Sequence, residues 1–208
     1  KDLYVMDTYY RLFNYNFDKA QISLKNNYLS WLQKEIEWIY TNWFLDELTN
    51  KQISLLKAEW LDNWNIPWIN RQQDFYEKEV GNALTWKNTK RVFVVISDAL
   101  RYECWHDLYE LLEKERWTVN LTSMQWVIPS YTKLWMASLL PHNDIEIDKS
   151  WRIIVDWIDT TSTDWRNKVL NKHVESIAIK WSELIKYSQS EARELIVDKK
   201  VVYIYHNV

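Results

Sequence analysis

Residues 91–142 read RVFVVISDALRYECWHDLYELLEKERWTVNLTSMQWVIPSYTKLWMASLLPH, and this stretch decides the fold. Its first part, 92–96, is a continuous β-branched and aromatic run, the pattern of a parallel strand buried on both faces. The run stops at Ser97-Asp98, so the Asp98 carboxylate is expected to emerge at the strand's C-terminal edge. Residues 101–114 then follow helical spacing, with Leu108, Leu111 and Leu112 on one side. A Pro129-Ser130-Tyr131-Thr132 turn leads into an apolar helix over 132–140.

Working outward, the strand and helix signals keep alternating towards the C-terminus. Strands are predicted at 118–121, 152–155, 176–179 and 200–205, and helices at 164–172 and 191–196. Ser188 and Glu191 have capping-box spacing before the last helix. Such alternation implies an α/β layered sheet with flanking helices, in which ligands gather beyond the carboxyl ends of the strands. Upstream, no strand is predicted from residue 4 to about 82. Leu29, Leu32, Ile36, Ile39, Tyr40 and Trp43 follow helical spacing, with shorter helices expected at 53–61 and 70–80 around an Asn65-Ile66-Pro67 break. The reading is an all-helical N-terminal extension over 1–85 and an α/β domain over 86–208.

The chain has 208 residues, a net charge of −3 and 47% hydrophobic residues, a soluble-globular balance with ample core. Acidic and basic residues are interspersed, so no basic block marks a nucleic-acid footprint. Cys104 is the single cysteine, which excludes an intrachain disulfide and makes a cytoplasmic location the expectation. No run approaches a membrane span, and the N-terminus resembles no signal peptide; without a starting Met the chain is expected to be a fragment.

Glycine and tryptophan are out of proportion. A typical chain of this length carries roughly 15 glycines, whereas this one has 1 Gly and 15 Trp. Trp68 follows Pro67, Trp165 follows Asp164 and Trp117 lies between a helix and a predicted strand, all places where glycine chemistry is expected. Several tryptophans therefore read as glycine positions, as when a UGA codon is decoded as glycine; a genuinely tryptophan-rich chain is the alternative.

Two residues are the candidates to carry chemistry. A strand-end carboxylate such as Asp98 suits zinc or a hard divalent cation; capping the next helix is the equally common alternative. A hydroxyl at a helix start, such as Thr132, suits phosphate binding or nucleophilic attack; on spacing alone an N-cap is the commoner role. Arg101 reads as a phosphate contact or a solvated side chain, and His142 as a ligand or a C-terminal cap. His206 ends a strand, His106 and His173 look like surface residues, and Cys104 like packing. No phosphate-binding glycine loop and no HExxH or cysteine-cluster zinc motif is present.

The segment from Val92 to Tyr102 and the segment Ser123-Met-Gln-Trp-Val-Ile-Pro-Ser-Tyr-Thr-Lys-Leu-Trp-Met-Ala-Ser-Leu-Leu-Pro-His142 closely resemble the PglZ family of bacterial BREX phage-defence systems. The resemblance extends through Gln72-Gln-Asp-Phe-Tyr76 upstream and Val202-Tyr-Ile-Tyr-His-Asn-Val208 downstream. It implies an alkaline-phosphatase-like fold, here a partial core, and a metal-dependent phosphatase or phosphodiesterase. It further implies Asp98 as a metal ligand and Thr132 as a metal-bound nucleophile, with two divalent ions, usually zinc. A phosphate ester substrate, nucleic acid included, and other phage-defence proteins are the implied partners, with no membrane. A catalytically minor scaffold of the defence complex is the alternative. PglZ relatives typically have glycine where this chain has Trp126 and Trp135, and their next acidic ligand segment follows the sequence at which this chain stops.

Overall fold

The parallel strand pairing expected around residues 92–96 organises the larger part of the chain. The computed structural model describes residues 3–24, 29–56 and 64–206. Chain packing divides it into two units, one of residues 1–63 with 100–121 and the other of residues 64–99 with 122–208.

The first unit is helical among its described residues. Helix α1 (Tyr4–Leu24) is followed by α2 (Ser30–Trp38), which runs through a widened π-type turn over Ile39–Leu45 into α3 (Asp46–Leu55). Helix α4 (Tyr102–Lys114) packs along α1. Aromatic side chains form the core, with Phe17, Tyr40 and Phe44 buried and the Tyr10 and Tyr40 rings stacked 3.8 Å apart. The helix predicted at 53–61 reaches Leu55, and its remainder falls outside the described residues. The strand predicted at 118–121 does not form. A strand needs a neighbour for its backbone groups, and this segment groups with helices that offer no sheet edge.

The second unit holds three small sheets among its described residues. Strand β1 (Asn70–Arg71) pairs in parallel with β3 (Met124–Gln125). The helix predicted at 70–80 therefore begins later, at Gln72, because residues 70–71 pair first. The central sheet is parallel, with β8 (Val201–His206) between β2 (Val92–Ser97) and β7 (Ser176–Lys180). Strands β4 (Ile145–Ile147), β5 (Ile153–Val155) and β6 (Ile158–Asp159) form an antiparallel meander. Helices α5 (Thr132–Ser138), α6 (Thr163–Asn171) and α7 (Gln189–Ile196) fall close to the predicted spans. Ser188 and Glu191 form the reciprocal capping box that their spacing predicts.

The main core lies on one face of the parallel sheet. Val94, Ile96, Val201, Tyr203 and Tyr205 pack there with Leu134, Leu140, Ile153 and Leu170. On the other face Ile179, Val202 and Ile204 are covered by Leu184, Leu195 and Ile196. That cover stops short of the edge strand β2, whose Phe93 and Val95 are 52% and 55% exposed. The continuous apolar run predicted burial on both faces; within the second unit the residues that cover Ile179, Val202 and Ile204 do not extend over Phe93 and Val95, so β2 is buried there on one face.

Candidate functional site

At the C-terminal edge of the parallel sheet, the ladder between β2 and β8 extends one residue beyond the strand. The Asp98 N–H donates to the His206 carbonyl at 3.0 Å. The chain then turns sharply, with Ala99 in the left-handed region at φ 59°. The Asp98 Oδ1 accepts the Ala99 N–H at 3.0 Å, which holds the half-buried carboxylate at the strand end. Parallel register sets Ser97 opposite His206, and the Ser97 hydroxyl lies 3.1 Å from His206 Nδ1. Ser97, Asp98 and His206 thus share the sheet edge where α/β proteins bind ligands. Residue spacing gave His206 only a strand-end position; its pairing with Ser97 needed the register.

Helix α5 begins at Thr132, after a cis Ile128–Pro129 peptide and an extended Tyr131 that serves as N-cap without a side-chain bond. Thr132 is exposed, and among the described residues its hydroxyl makes no hydrogen bond. Asp98 does not cap a helix either: the N-cap of α4 is Arg101, again without a side-chain bond. The capping alternative is therefore realised by neither residue, and both keep oxygen atoms available for a ligand.

A buried amide ties the Thr132 turn at both ends. Gln72 is 1% exposed, donates from Nε2 to the Trp135 carbonyl at 2.9 Å and accepts the Val127 N–H at Oε1 over 3.3 Å. Gln125 in β3 accepts the Ile66 N–H at 2.8 Å, so the strand leading into the turn is fastened to the segment before Gln72. Leu134, Met136 and Ala137 seat α5 in the core.

His142 Nδ1 lies 2.7 Å from the Leu140 carbonyl, a local bond just past the helix. Arg101 donates to the Tyr40 hydroxyl at 3.2 Å within the helical unit. His106, expected on the surface, is half-buried and stacks on Tyr4 with its Nε2 3.1 Å from the Tyr4 hydroxyl. His173 is exposed, as expected. Cys104 is half-buried, and burial raises its thiol pKa above the usual range, consistent with packing.

A carboxylate and an unengaged hydroxyl are donors that zinc or a hard divalent cation accepts. A protein-bound zinc ordinarily takes three or four protein ligands. Among the described residues no three His, Cys, Asp or Glu side chains are grouped to hold a metal. These residues alone therefore do not fit a complete two-zinc centre. No helix among the described residues is long and apolar enough to cross a membrane.

Comparison with known proteins places the chain in a family. The sequence profile of the PglZ family, described as the BREX system PglZ alkaline phosphatase-like domain, matches residues 75–208. The alkaline phosphatase-like protein BrxZ of Escherichia coli O9:H4 (strain HS) is 39% identical over 215 residues, covering 100% of this chain and 24% of the relative. The alkaline phosphatase-like protein PglZ of Bacillus cereus (strain H3081.97) is 38% identical over 205 residues, covering 98% of this chain and 23% of the relative. The chain thus spans about a quarter of the length of these relatives. With a mixed α/β architecture and a profile match over most of its length, the chain belongs to the PglZ family of alkaline phosphatase-like proteins.

Proposed function

We propose that this chain is part of a phosphoric ester hydrolase of bacterial phage defence in which Thr132 is the nucleophile. The observation that carries the reading is the Thr132 hydroxyl itself, exposed, uncommitted to capping and presented by a turn fixed at both ends through Gln72. In the proposed reaction Thr132 Oγ forms a bond to phosphorus while the bond to the leaving alcohol breaks. The threonine proton ends on the departing oxygen, and water then hydrolyses the phosphothreonine. Asp98 and Thr132 are proposed as ligands for divalent metal, zinc first among them. Such an ion would neutralise charge on the phosphate. Its other ligands would come from outside the described residues.

Phosphate esters, nucleic acid among them, are the proposed substrates, other BREX components the proposed partners and the cytoplasm the proposed location. The test is metal content and hydrolysis of bis(p-nitrophenyl) phosphate by the full-length gene product. Loss of turnover in Thr132→Ala and of bound zinc in Asp98→Ala is expected. Wild-type activity and metal in both variants would refute the assignment. A second reading, a scaffold of the defence complex with little hydrolysis, draws on the missing third metal ligand among the described residues. It predicts little or no zinc and little or no turnover in the full-length protein.

A further inference from the structure

We propose that Gln72 is a positioning residue for Thr132, an inference that rests on the nucleophile reading above. Gln72 lies far from Thr132 in sequence, in a short helical turn (Gln72–Asp74) immediately after β1. Its amide spans the turn that carries Thr132. Oε1 accepts the N–H of Val127, five residues before Thr132, and Nε2 donates to the carbonyl of Trp135, three residues after it. An amide at 1% exposure with both ends engaged is a rigid bridge, because neither group can exchange its partner for water. The pairing of Asn70–Arg71 with Met124–Gln125 sets the position from which this bridge reaches. Reacting groups need placement to within about half an ångström to be productive. A bond across both ends of the turn supplies that placement without touching substrate.

Gln72→Leu removes both bonds at nearly constant volume, and Gln72→Glu keeps an acceptor for Val127 while opposing the Trp135 carbonyl with negative charge. In the full-length protein, Val127 amide exchange is expected to quicken at least tenfold in Gln72→Leu and less in Gln72→Glu. With bis(p-nitrophenyl) phosphate, kcat is expected to fall about tenfold in Gln72→Leu while KM stays within about twofold, as for loss of an interaction that matters only in the transition state. Unchanged Val127 exchange, or unchanged kcat beside an inactive Thr132→Ala, overturns the inference. If Thr132→Ala keeps full activity, the nucleophile reading falls, and the Gln72 inference, which rests on it, falls with it. Faster Val127 exchange would then report a structural bridge only.

Seven non-glycine residues among those described have positive φ, and four of them are tryptophan: Trp64 at 41°, Trp68 at 60°, Trp151 at 58° and Trp157 at 71°. A bulky aromatic side chain is a steric outlier there. Each of three turns has a geometry that asks for glycine. Pro67-Trp68 occupies the centre of a turn closed by Ile69 N–H donating to the Ile66 carbonyl at 3.3 Å; proline followed by positive φ is the type II pattern, with glycine at the second place. Strands β5 and β6 are joined by Asp156-Trp157 alone, both with positive φ, as in a type I′ hairpin, where Asp-Gly is a preferred pair. Strands β4 and β5 are joined through a turn in which Trp151 N–H donates to the Asp148 carbonyl at 3.0 Å and Asp148 N–H to that of Arg152 at 3.0 Å; its left-handed residue is again a glycine place.

Burial agrees, since no tryptophan among the described residues is in the buried core, although tryptophan is on average highly buried. Trp68 and Trp157 are 95% and 90% exposed. We infer that positions 64, 68, 151 and 157 carry glycine in the protein its own cell makes, through UGA codons decoded as glycine. Trp165 lies in the first turn of α6, and Arg116 rather than Trp117 takes the left-handed conformation, so the backbone at neither position calls for glycine. Trp126 and Trp135 likewise lack positive φ. The gene sequence and peptide masses of the protein from its native host decide the matter. UGA codons with peptides lighter by the Trp-to-Gly difference at each position are expected. UGG codons, or tryptophan masses at these positions, overturn the inference.

Discussion

The Ser97 hydroxyl and His206 Nδ1 lie 3.1 Å apart across neighbouring parallel strands, at the sheet edge that also carries Asp98. With Nδ1 engaged, Nε2 is the imidazole nitrogen left to meet a ligand. A single half-buried hydrogen bond contributes about 0.5–1.5 kcal/mol net. Ser97→Ala is therefore expected to lower unfolding free energy by about 1 kcal/mol, read from a shifted urea midpoint at constant slope. Nitrogen-15 shifts of His206 should move in the same variant, because its ring loses the partner that selects the tautomer.

Alkaline pH should loosen the sheet through its tyrosines. Burial pushes the Tyr205 hydroxyl from 10.0 up to about 12, against a lowering influence of Arg166. Tyr203 is also raised well above its usual value by burial, and its hydroxyl donates to the Leu139 carbonyl at 2.7 Å. A pKa raised on folding gives stability that is complete below the unfolded value and is lost as pH rises through the folded one. Stability is thus expected to decline between pH 10.0 and about 12. Among the described residues the Tyr205 hydroxyl has no hydrogen-bond partner. Tyr205→Phe should therefore cost little at neutral pH and flatten the alkaline limb of a denaturation–pH series.

The core supporting α5 should be intolerant of cavities. Leu140 is completely buried among the residues that join α5 to the meander. Leu140→Ala is expected to cost about 2–5 kcal/mol, the range for a buried leucine truncation. Calorimetry of the full-length protein checks it, and a loss below about 1 kcal/mol would show that the site collapses around the cavity.

Helix α7 should respond to its cap. Ser188 accepts the Glu191 N–H, while the Glu191 carboxylate accepts the Ser188 N–H at 2.7 Å. Ser188→Ala is expected to destabilise by about 0.5–2 kcal/mol and Ser188→Gly by only a few tenths, read from exchange rates of the first-turn amides. The Ser188 hydroxyl and N–H hold the Glu191 carboxyl below its usual pKa. Its contribution is present above the unfolded value and is lost as pH falls through the folded one.

Local signals in the sequence were strong wherever one element decided the outcome. The run at 92–97, the helices at 102–114 and 163–171 and the Ser188 cap follow from periodicity and capping chemistry. What needed the fold was pairing between distant segments. The two-residue strand at Asn70–Arg71 exists only because Met124–Gln125 lies beside it, and the exposure of Phe93 and Val95 in β2 is not written in their own apolar character. At the candidate site, Asp98 and Thr132 were legible as a strand end and a helix start. Gln72 was not, since a lone glutamine in a polar stretch carries no sign of burial or of the two backbone groups it joins.

The most direct test of the central claim is kcat of the full-length protein against its Thr132→Ala and Thr132→Ser variants, with zinc supplied and bis(p-nitrophenyl) phosphate as substrate. Removing a covalent nucleophile is expected to lower kcat by a factor of about 10³ or more, while serine, which restores a hydroxyl, should recover a large part of it. Equal kcat in wild type and Thr132→Ala would contradict the account.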